Sequence, residues 1–407
     1  MPAPLVVDDT DDAFQRFNRA MGVGVVTDPY PDFTALRAQG PMIRTELDFQ
    51  GHEAEGMPVL FQAATYEAVH EVLADGVRFS SAGYEEVMGA VMGHTILEMD
   101  EPEHRSYRSL IQQAFTRKAM ETWETELVAP TIDALIDDFD ADGHVELISE
   151  LTFPFPVNVI AGLLGLPRED LPLFHCLTVE LISVSIDMNI AREASRKLAD
   201  YLTPIIHQRR AEPGPDIISV LAMAEHEGHR LTDDEILAFC RLLLPAGAET
   251  TYRSSSNLLC GLLTNPDQLD VIRADRSLIP RAIEEGLRWE APLLMILRTA
   301  TCDTEVCGVE IPAGASIMVN IGSANRDEAR WPDPDTFDIL REQHPHMAFA
   351  FGPHMCLGMH LSRMETRVAL ERLLDRFPKL RLDPDGEPPR ITGMTFRAPQ
   401  RLDVRWD

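Results

Sequence analysis

The sequence predicts a mainly helical chain with small β-sheets (α+β), organised as one domain over residues 1–407. Three observations carry this. Leu361, Met364, Val368, Leu370, Leu373 and Leu374 recur near the three-and-four spacing of a buried helical face, directly after a loop of Gly and Pro. Thr232, followed three residues later by Glu235, reads as a capping box that opens a long helix running to about Leu263. Strand signals are short and bounded by turn residues, as at 59–62 and in a hairpin at 306–314. No stretch is rich enough in Pro, Gly or Ser to cut the chain into domains.

Residues 1–30 carry no regular pattern and are expected to wrap the surface. Residues 31–39 read as a short helix and 66–73 as another. The loop from Asp75 to about Ile96 is rich in Gly and Met (Gly83, Met88, Gly89, Met92, Gly93). It suits a lid over a nonpolar ligand and equally an ordinary surface loop. Pro102, with Asp100 and Glu101 beside it, fits the first turn of a helix. Residues 151–166 form an apolar core helix that ends before Pro167. Residues 171–210 are largely helical in two or three pieces, with Leu181, Ile182, Val184, Ile186, Met188 and Ile190 in the middle. Glu285 and Arg288 are three apart on a helix, a spacing that supports a salt bridge worth under ~1 kcal/mol if exposed.

Composition limits the function classes. The net charge of -30 argues against nucleic acid or anionic lipid as a partner held by bulk charge. No run of 18 apolar residues occurs and the first dozen residues are acidic, so neither a membrane anchor nor a signal peptide is expected. Six cysteines (Cys176, Cys240, Cys260, Cys302, Cys307, Cys356) are scattered without a disulfide framework, which fits a reducing cytoplasm. Cys302 and Cys307 flank a strand turn, but no further metal ligands cluster there.

Cys356 sits where the Gly- and Pro-containing loop becomes a helix. Unpartnered backbone N–H groups and the positive end of a helix dipole stabilise a thiolate at such a place. A thiolate with no second Cys nearby does not suit zinc, which takes three or four protein ligands. It suits an axial ligand to haem iron; a lone Cys is also commonly a small buried hydrophobe. His104 and Arg108, four apart, point from one helical face. They can clamp a carboxylate or form a solvated surface pair. Within the long helix, Pro245 costs ~3 kcal/mol and Gly247 up to ~1 kcal/mol, which suggests a functional kink. Small residues there, Ala246 and Gly247, let a flat cofactor approach. Thr250 beside Glu249 can hold water and pass protons, or can back-bond to the helix carbonyl four residues earlier.

Phe349, Gly352, His354, Cys356 and Gly358 all match the pattern Phe-x-x-Gly-x-His/Arg-x-Cys-x-Gly. This segment resembles the haem-binding loop of the cytochrome P-450 family, and the chain is similar to its soluble bacterial members. The resemblance implies haem b, with Cys356 as the iron ligand and His354, His104, Arg108 and Arg298 reaching its propionates. It implies that Gly352 and Gly358 let the backbone pass close to the porphyrin. Ala246, Gly247, Glu249 and Thr250 resemble the family's distal-helix motif, which makes Thr250 and Glu249 the residues that hold activated oxygen and relay protons. Glu285 and Arg288 resemble the Glu-x-x-Arg that supports the haem-side core. The family often has Arg or His where Thr336 stands to complete a triad, which leaves Arg341 as a substitute or the triad incomplete. The implied reaction is insertion of one oxygen atom of O2 into a C–H bond of an apolar small molecule. Electrons would come from NAD(P)H through a separate ferredoxin reductase and ferredoxin. Arg105, Arg117, Lys118, Arg363 and Arg367 could converge into a dock for an acidic ferredoxin, or could be scattered surface arginines. Two other readings remain open: a haem-thiolate peroxygenase or coupling enzyme, and a non-catalytic haem or gas sensor.

Overall fold

A computed structural model describes residues 28–45, 59–182 and 187–407. The expectation for residues 1–30 therefore falls almost wholly outside the described residues, as do Val184 and Ile186. The expected fold class is what the structure has: long helices around small sheets. The largest sheet has five strands in the order Met42–Thr45, Leu60–Ala63, Ser316–Asn320, Met295–Ala300 and Phe79–Ser80. The pair formed by Leu60–Ala63 and Ser316–Asn320 is parallel and the other pairings are antiparallel. A three-stranded sheet ties Asp403–Arg405 to His144–Glu146 and Arg381–Leu382. The expected hairpin is present, Thr304–Val306 with Val309–Ile311. Its turn residues Cys307 and Gly308 both have positive φ (48° and 82°), as a tight hairpin turn of this hand requires.

Apolar residues bury into two clusters. The larger lies among the helices, including Pro154–Leu163, Met188–Ala211, Asp233–Thr264 and Met359–Arg376. The smaller lies between the five-stranded sheet and the helices Tyr30–Arg37 and Tyr66–Ala74. Ala348, in the loop before Cys356, packs against both. The Gly- and Met-rich loop is more structured than expected. It contributes the strand Phe79–Ser80 and two helical turns, and its Val91 and Met92 are buried. Gly93 lies against Ala238 of the long helix, and Ser195 Oγ donates to the Val91 carbonyl (2.5 Å).

The long helix Asp233–Thr264 starts with the expected capping box: Glu235 N–H donates to Thr232 Oγ1 (3.3 Å), and Thr232 N–H to Glu235 Oε2 (2.6 Å). Pro245 is buried inside the helix, which continues through it unbroken. The energy lost at Pro245 is compensated by packing, because both ends of the helix are in the larger core.

Glu285 and Arg288 form a two-point ion pair (2.7 and 2.8 Å) that is buried, not exposed. Arg288 also donates to the carbonyls of Asn325 (3.1 Å), Pro334 (2.7 Å) and Thr336 (3.1 Å). The third member of the network is Arg341, whose Nε lies 3.4 Å from Glu285 Oε1. Arg341 also donates to the carbonyls of Asp333 (2.9 Å) and Thr336 (3.0 Å). The side chain absent at Thr336 is thus replaced by a guanidinium from five residues on, while Thr336 offers its carbonyl to both arginines.

One residue earlier, Glu284 accepts both Nε (2.6 Å) and Nη2 (2.8 Å) of Arg363, and His346 Nε2 lies 3.3 Å away. Partial burial pushes the Glu284 pKa up, but Arg363 and His346 outweigh it and hold the group at about 2. That value lies below the ordinary ~4.3 of an unfolded Glu, so the contribution is present above about pH 4 and is lost as pH falls toward 2. Both partners are about one-third exposed, so the effect is a fraction of its buried limit. Glu284→Gln is expected to be less stable than wild type above about pH 4, the gap closing toward pH 2; urea unfolding across that range measures it.

Candidate functional site

The loop ending in Cys356 is held by its own backbone. Ala350 N–H donates to Met347 O (2.8 Å), Met355 N–H to Gly352 O (3.1 Å) and Cys356 N–H to Phe349 O (2.9 Å). Gly352 has φ +74°, and a Cβ there would lie 2.2 Å from the Leu73 carbonyl oxygen. Gly352 is therefore required by its backbone angle and by the end of the helix Tyr66–Ala74, not by clearance for a flat ligand. Gly358 differs: no protein atom stands within 4 Å of a Cβ placed on it, so it faces open space. Phe349 packs on the larger core, with the Arg363 guanidinium 4.5 Å from its ring.

Cys356 is exposed on the open side and crowded on the others. Burial raises its thiol pKa above the usual value; the Gly358 N–H, Arg108 and Arg363 pull the other way and do not overcome it. The helix itself begins only at Met359. The thiolate expected at a helix start is favoured by one loop N–H, of Gly358, and by two guanidiniums from flanking helices, Arg108 and Arg363, and a bound cation would have to supply the rest.

His104, Arg108, Arg298 and His354 come together beside this loop. The His104 and His354 rings lie 4.1 Å apart, and Arg108 Nη2 donates to Met355 O (2.6 Å). Burial pushes the His354 pKa down to about 3, helped by His104, Arg298 and Arg108. Burial also lowers His104, and it lowers Arg298 despite Tyr84 and Asp100 nearby. The acids at hand are occupied. Asp100 accepts from Ser80 and Ser81, and Glu101 sits between Arg105 (3.2 Å) and His104 Nδ1 (3.4 Å). His104 Nε2 is buried and has no hydrogen-bond partner among the described residues. The cluster is an excess of buried donors, the arrangement that a carboxylate-bearing ligand would satisfy.

On the long helix, Ala246 is exposed and Gly247 and Thr250 are partly exposed, between buried neighbours. Gly247 is small because of its own protein: a Cβ there would lie 2.5 Å from Ile160 Cδ1 of the helix Pro154–Leu163. The expectation that Gly247 clears space for a cofactor is corrected accordingly, and Ala246 is the small residue on the open side. Thr250 Oγ1 donates to Ala246 O (2.7 Å), the back-bond that competes with a water-holding role. Glu249 is buried, and its Oε1 accepts from Arg253 Nε (2.7 Å) and from Arg253 Nη2.

Two features were missed in the sequence. Arg253 follows Glu249 by four residues in an apolar stretch, a spacing that signals an ion pair and could have been read. Glu365 is fully buried on the helix Met359–Arg376, and burial pushes its carboxyl well above the usual value despite a bond from Thr251. Nothing local in the sequence marks it, because its burial comes from the neighbouring helix. The arginines of the expected basic patch each have a carboxylate partner. Arg105 pairs with Glu101, Arg117 with Glu121, Arg363 with Glu284, and Arg367 with Glu124 and Glu371.

With this geometry in place, comparison with known proteins is informative. The family model described as Cytochrome P450 matches residues 178–404. Cytochrome P450 monooxygenase PikC of Streptomyces venezuelae is 35% identical over 95% of this chain and 93% of its own. The steroid C26-monooxygenase of Mycobacterium tuberculosis (strain CDC 1551 / Oshkosh) is 37% identical over 80% of this chain and 89% of its own. The crystal structure of CYP109E1 from Bacillus megaterium in complex with testosterone superposes with a TM-score of 0.84 at 32% identity, covering 93% of this chain and 99% of that one. Members of this family bind haem b through a cysteine thiolate. Matched along nearly all its length by such relatives, the chain belongs to the cytochrome P450 family of monooxygenases.

Proposed function

We propose that this chain inserts one oxygen atom of O2 into a C–H bond of an apolar small molecule, with Cys356 as the iron ligand of haem b. The other oxygen atom leaves as water, which consumes two electrons and two protons. We further propose that a ferredoxin and its NAD(P)H-dependent reductase, as separate chains, supply the electrons. The observation that carries the reading is the buried donor cluster beside Cys356, with His104 Nε2 lacking a hydrogen-bond partner among the described residues. A porphyrin's propionates would supply the missing anions, to which His104, Arg108, Arg298 and His354 would donate. Gly358 fits the same group, since the space where its Cβ would stand is open. Phe349 and Gly352 act on this reading by holding the loop.

Haem bound there supplies the iron centre at which O2 is reduced and cleaved. The chain's own contribution is proton handling and exclusion of water. Thr250 Oγ1 spends its proton on Ala246 O, so toward the open side it acts as an acceptor and orients a water or a protonated ligand. Glu249 is the carboxylate beside it that would pass protons inward. The substrate class proposed is an apolar small molecule of the terpenoid, steroid, lipid, polyketide or aromatic classes. The relatives whose names carry steroid chemistry, and the testosterone complex, favour steroids as the first probes.

The carbon monoxide complex of the reduced protein tests the ligand. Wild type is expected to show a strongly red-shifted Soret band and Cys356→Ala to lack it; a folded, haem-loaded wild type without that band overturns the reading. The two loop glycines are expected to separate. Gly352→Ala should lose about 2 kcal/mol or more of stability with or without haem, because its Cβ meets backbone. Gly358→Ala should unfold within about 1 kcal/mol of wild type once haem is extracted, yet retain haem roughly tenfold more weakly, as read by haem transfer to apomyoglobin.

A further inference from the structure

The five-stranded sheet ends its ladder early on one edge. Phe79 and Ser80 pair with Ala300 and Thr299, and the chain then turns away before it reaches Leu297. The backbone donor left over there is met by a side chain: Leu297 N–H donates to the Tyr84 hydroxyl oxygen (3.0 Å). Tyr84 is half-buried, and the same hydroxyl stands within hydrogen-bonding reach of the Arg298 guanidinium. An amide N–H and a guanidinium can only donate, so the phenol oxygen is the acceptor in both bonds and its own O–H proton remains to be placed. Among the described residues no acceptor meets it. Arg298 is in the same position: it is buried, its other bond is to Leu297 O (2.7 Å), and it has no carboxylate at ion-pairing distance among the described residues.

Tyr84 also opens the two helical turns Glu85–Gly89 and Ala90–Met92 of the loop 81–99. That loop closes on itself at its neck, where Asp100 accepts from Ser80 Oγ and from Ser81 N–H (2.9 Å). Its far side rests on other helices, through Val91 O and Gly93. Between the two it meets the sheet at Gly83, where a Cβ would lie 3.3 Å from Thr299 Oγ1, and at the Tyr84 hydroxyl.

We propose that Tyr84 is a further residue of the cofactor site: its O–H donates to the haem propionate that Arg298 holds, and the bond fastens the loop 81–99 to the cofactor. This rests on the reading of the site as a haem site. Arg298 stands close enough to His354 to help depress its pKa, so an acceptor that satisfies Arg298 belongs to the donor cluster beside Cys356. Tyr84 adds one neutral donor to that cluster from the loop side. Two donors on the phenol oxygen polarise its O–H and strengthen the bond it gives. A carboxylate is the acceptor that matches, because a neutral one would leave the buried guanidinium without a counter-charge.

The test compares Tyr84→Phe with wild type, both loaded with haem and both showing the red-shifted band of the reduced carbon monoxide complex. Tyr84→Phe is expected to pass its haem to apomyoglobin about tenfold faster, as loss of one charge-assisted hydrogen bond requires. With haem whose propionates are methylated, the gap between the two proteins is expected to narrow to within about threefold, since an ester is a neutral acceptor. The propionate-bending band of the resonance Raman spectrum is expected to shift on substitution, which a role in packing alone would not cause. In amide hydrogen exchange, haem loading is expected to slow residues 81–92 of wild type, and Tyr84→Phe to lose most of that added protection. Faster exchange by the same factor with and without haem, with haem transfer unchanged and the Raman band unmoved, would mean that the hydroxyl only caps Leu297 N–H and would overturn the proposal. A gap that persists in full with the methylated haem, or unchanged haem transfer with weaker testosterone binding, assigns the O–H to another acceptor and overturns it too. A wild type that lacks the carbon monoxide band overturns the haem reading and the proposal with it; equal behaviour of two proteins that both show the band overturns the proposal alone.

Discussion

The structure depends on holding an irregular loop rigid. The segment from Met347 to Gly358 has no long helix or strand of its own, yet it must present one sulfur at a set place. It is fixed by three backbone bonds within the loop and by Gly352 pressed against the carbonyl of Leu73. The loop also lies on the seam between the two apolar clusters, with Ala348 touching both. Cores pack densely and yield little, so a loop wedged between two of them inherits their rigidity. The Glu285–Arg288–Arg341 network ties the helix Ile279–Trp289 to the carbonyls at 332–336.

Beside that loop the protein stores unmatched positive potential. Four donors are gathered with an unpartnered imidazole nitrogen among them, and burial already drives His104 and His354 toward neutrality. Burial is the main cause of both lowered imidazole pKa values, and the neighbouring cations add to it. An anionic ligand would reverse that pressure and turn a cost into charge-assisted bonds. The thiol is under the complementary pressure: its neighbours favour thiolate, its burial does not, and a cation tips the balance. A cofactor carrying a central cation and peripheral carboxylates matches both deficits at once.

Much of this was legible in the sequence. The capping box of the long helix, the hairpin turn, the helix after Cys356 and the convergence of His104 with Arg108 all depend on local spacing, which a sequence displays. The roles of the glycines did not follow from spacing alone. Gly247 and Gly352 were read as cofactor clearance, and both are small because protein atoms from distant segments, Ile160 and Leu73, occupy the space. The same limit hid Glu365, whose burial is made by a neighbouring helix, and it left Arg341 undecided until its reach to Glu285 was seen. What fails to show in a sequence is which distant segment supplies the neighbour.

The arginines around Cys356 show how far this matters for an electron donor. On the helix that follows it, Arg363 and Arg367 are bound to carboxylates within reach, and Arg117 and Arg105 have carboxylates one turn away. With a net charge of -30 the long-range field repels an acidic protein. Attraction at contact then depends on exchanging one carboxylate for another. Arg105 and Arg117, with side chains 80% and 93% exposed, can make that exchange at little cost because an exposed pair is worth under ~1 kcal/mol. Arg363 cannot do so as freely, since its two-point bond to Glu284 also supports the fold. An acidic protein meeting Arg105 or Arg117 would therefore rest on short-range exchange and on fit, with little electrostatic steering from a distance.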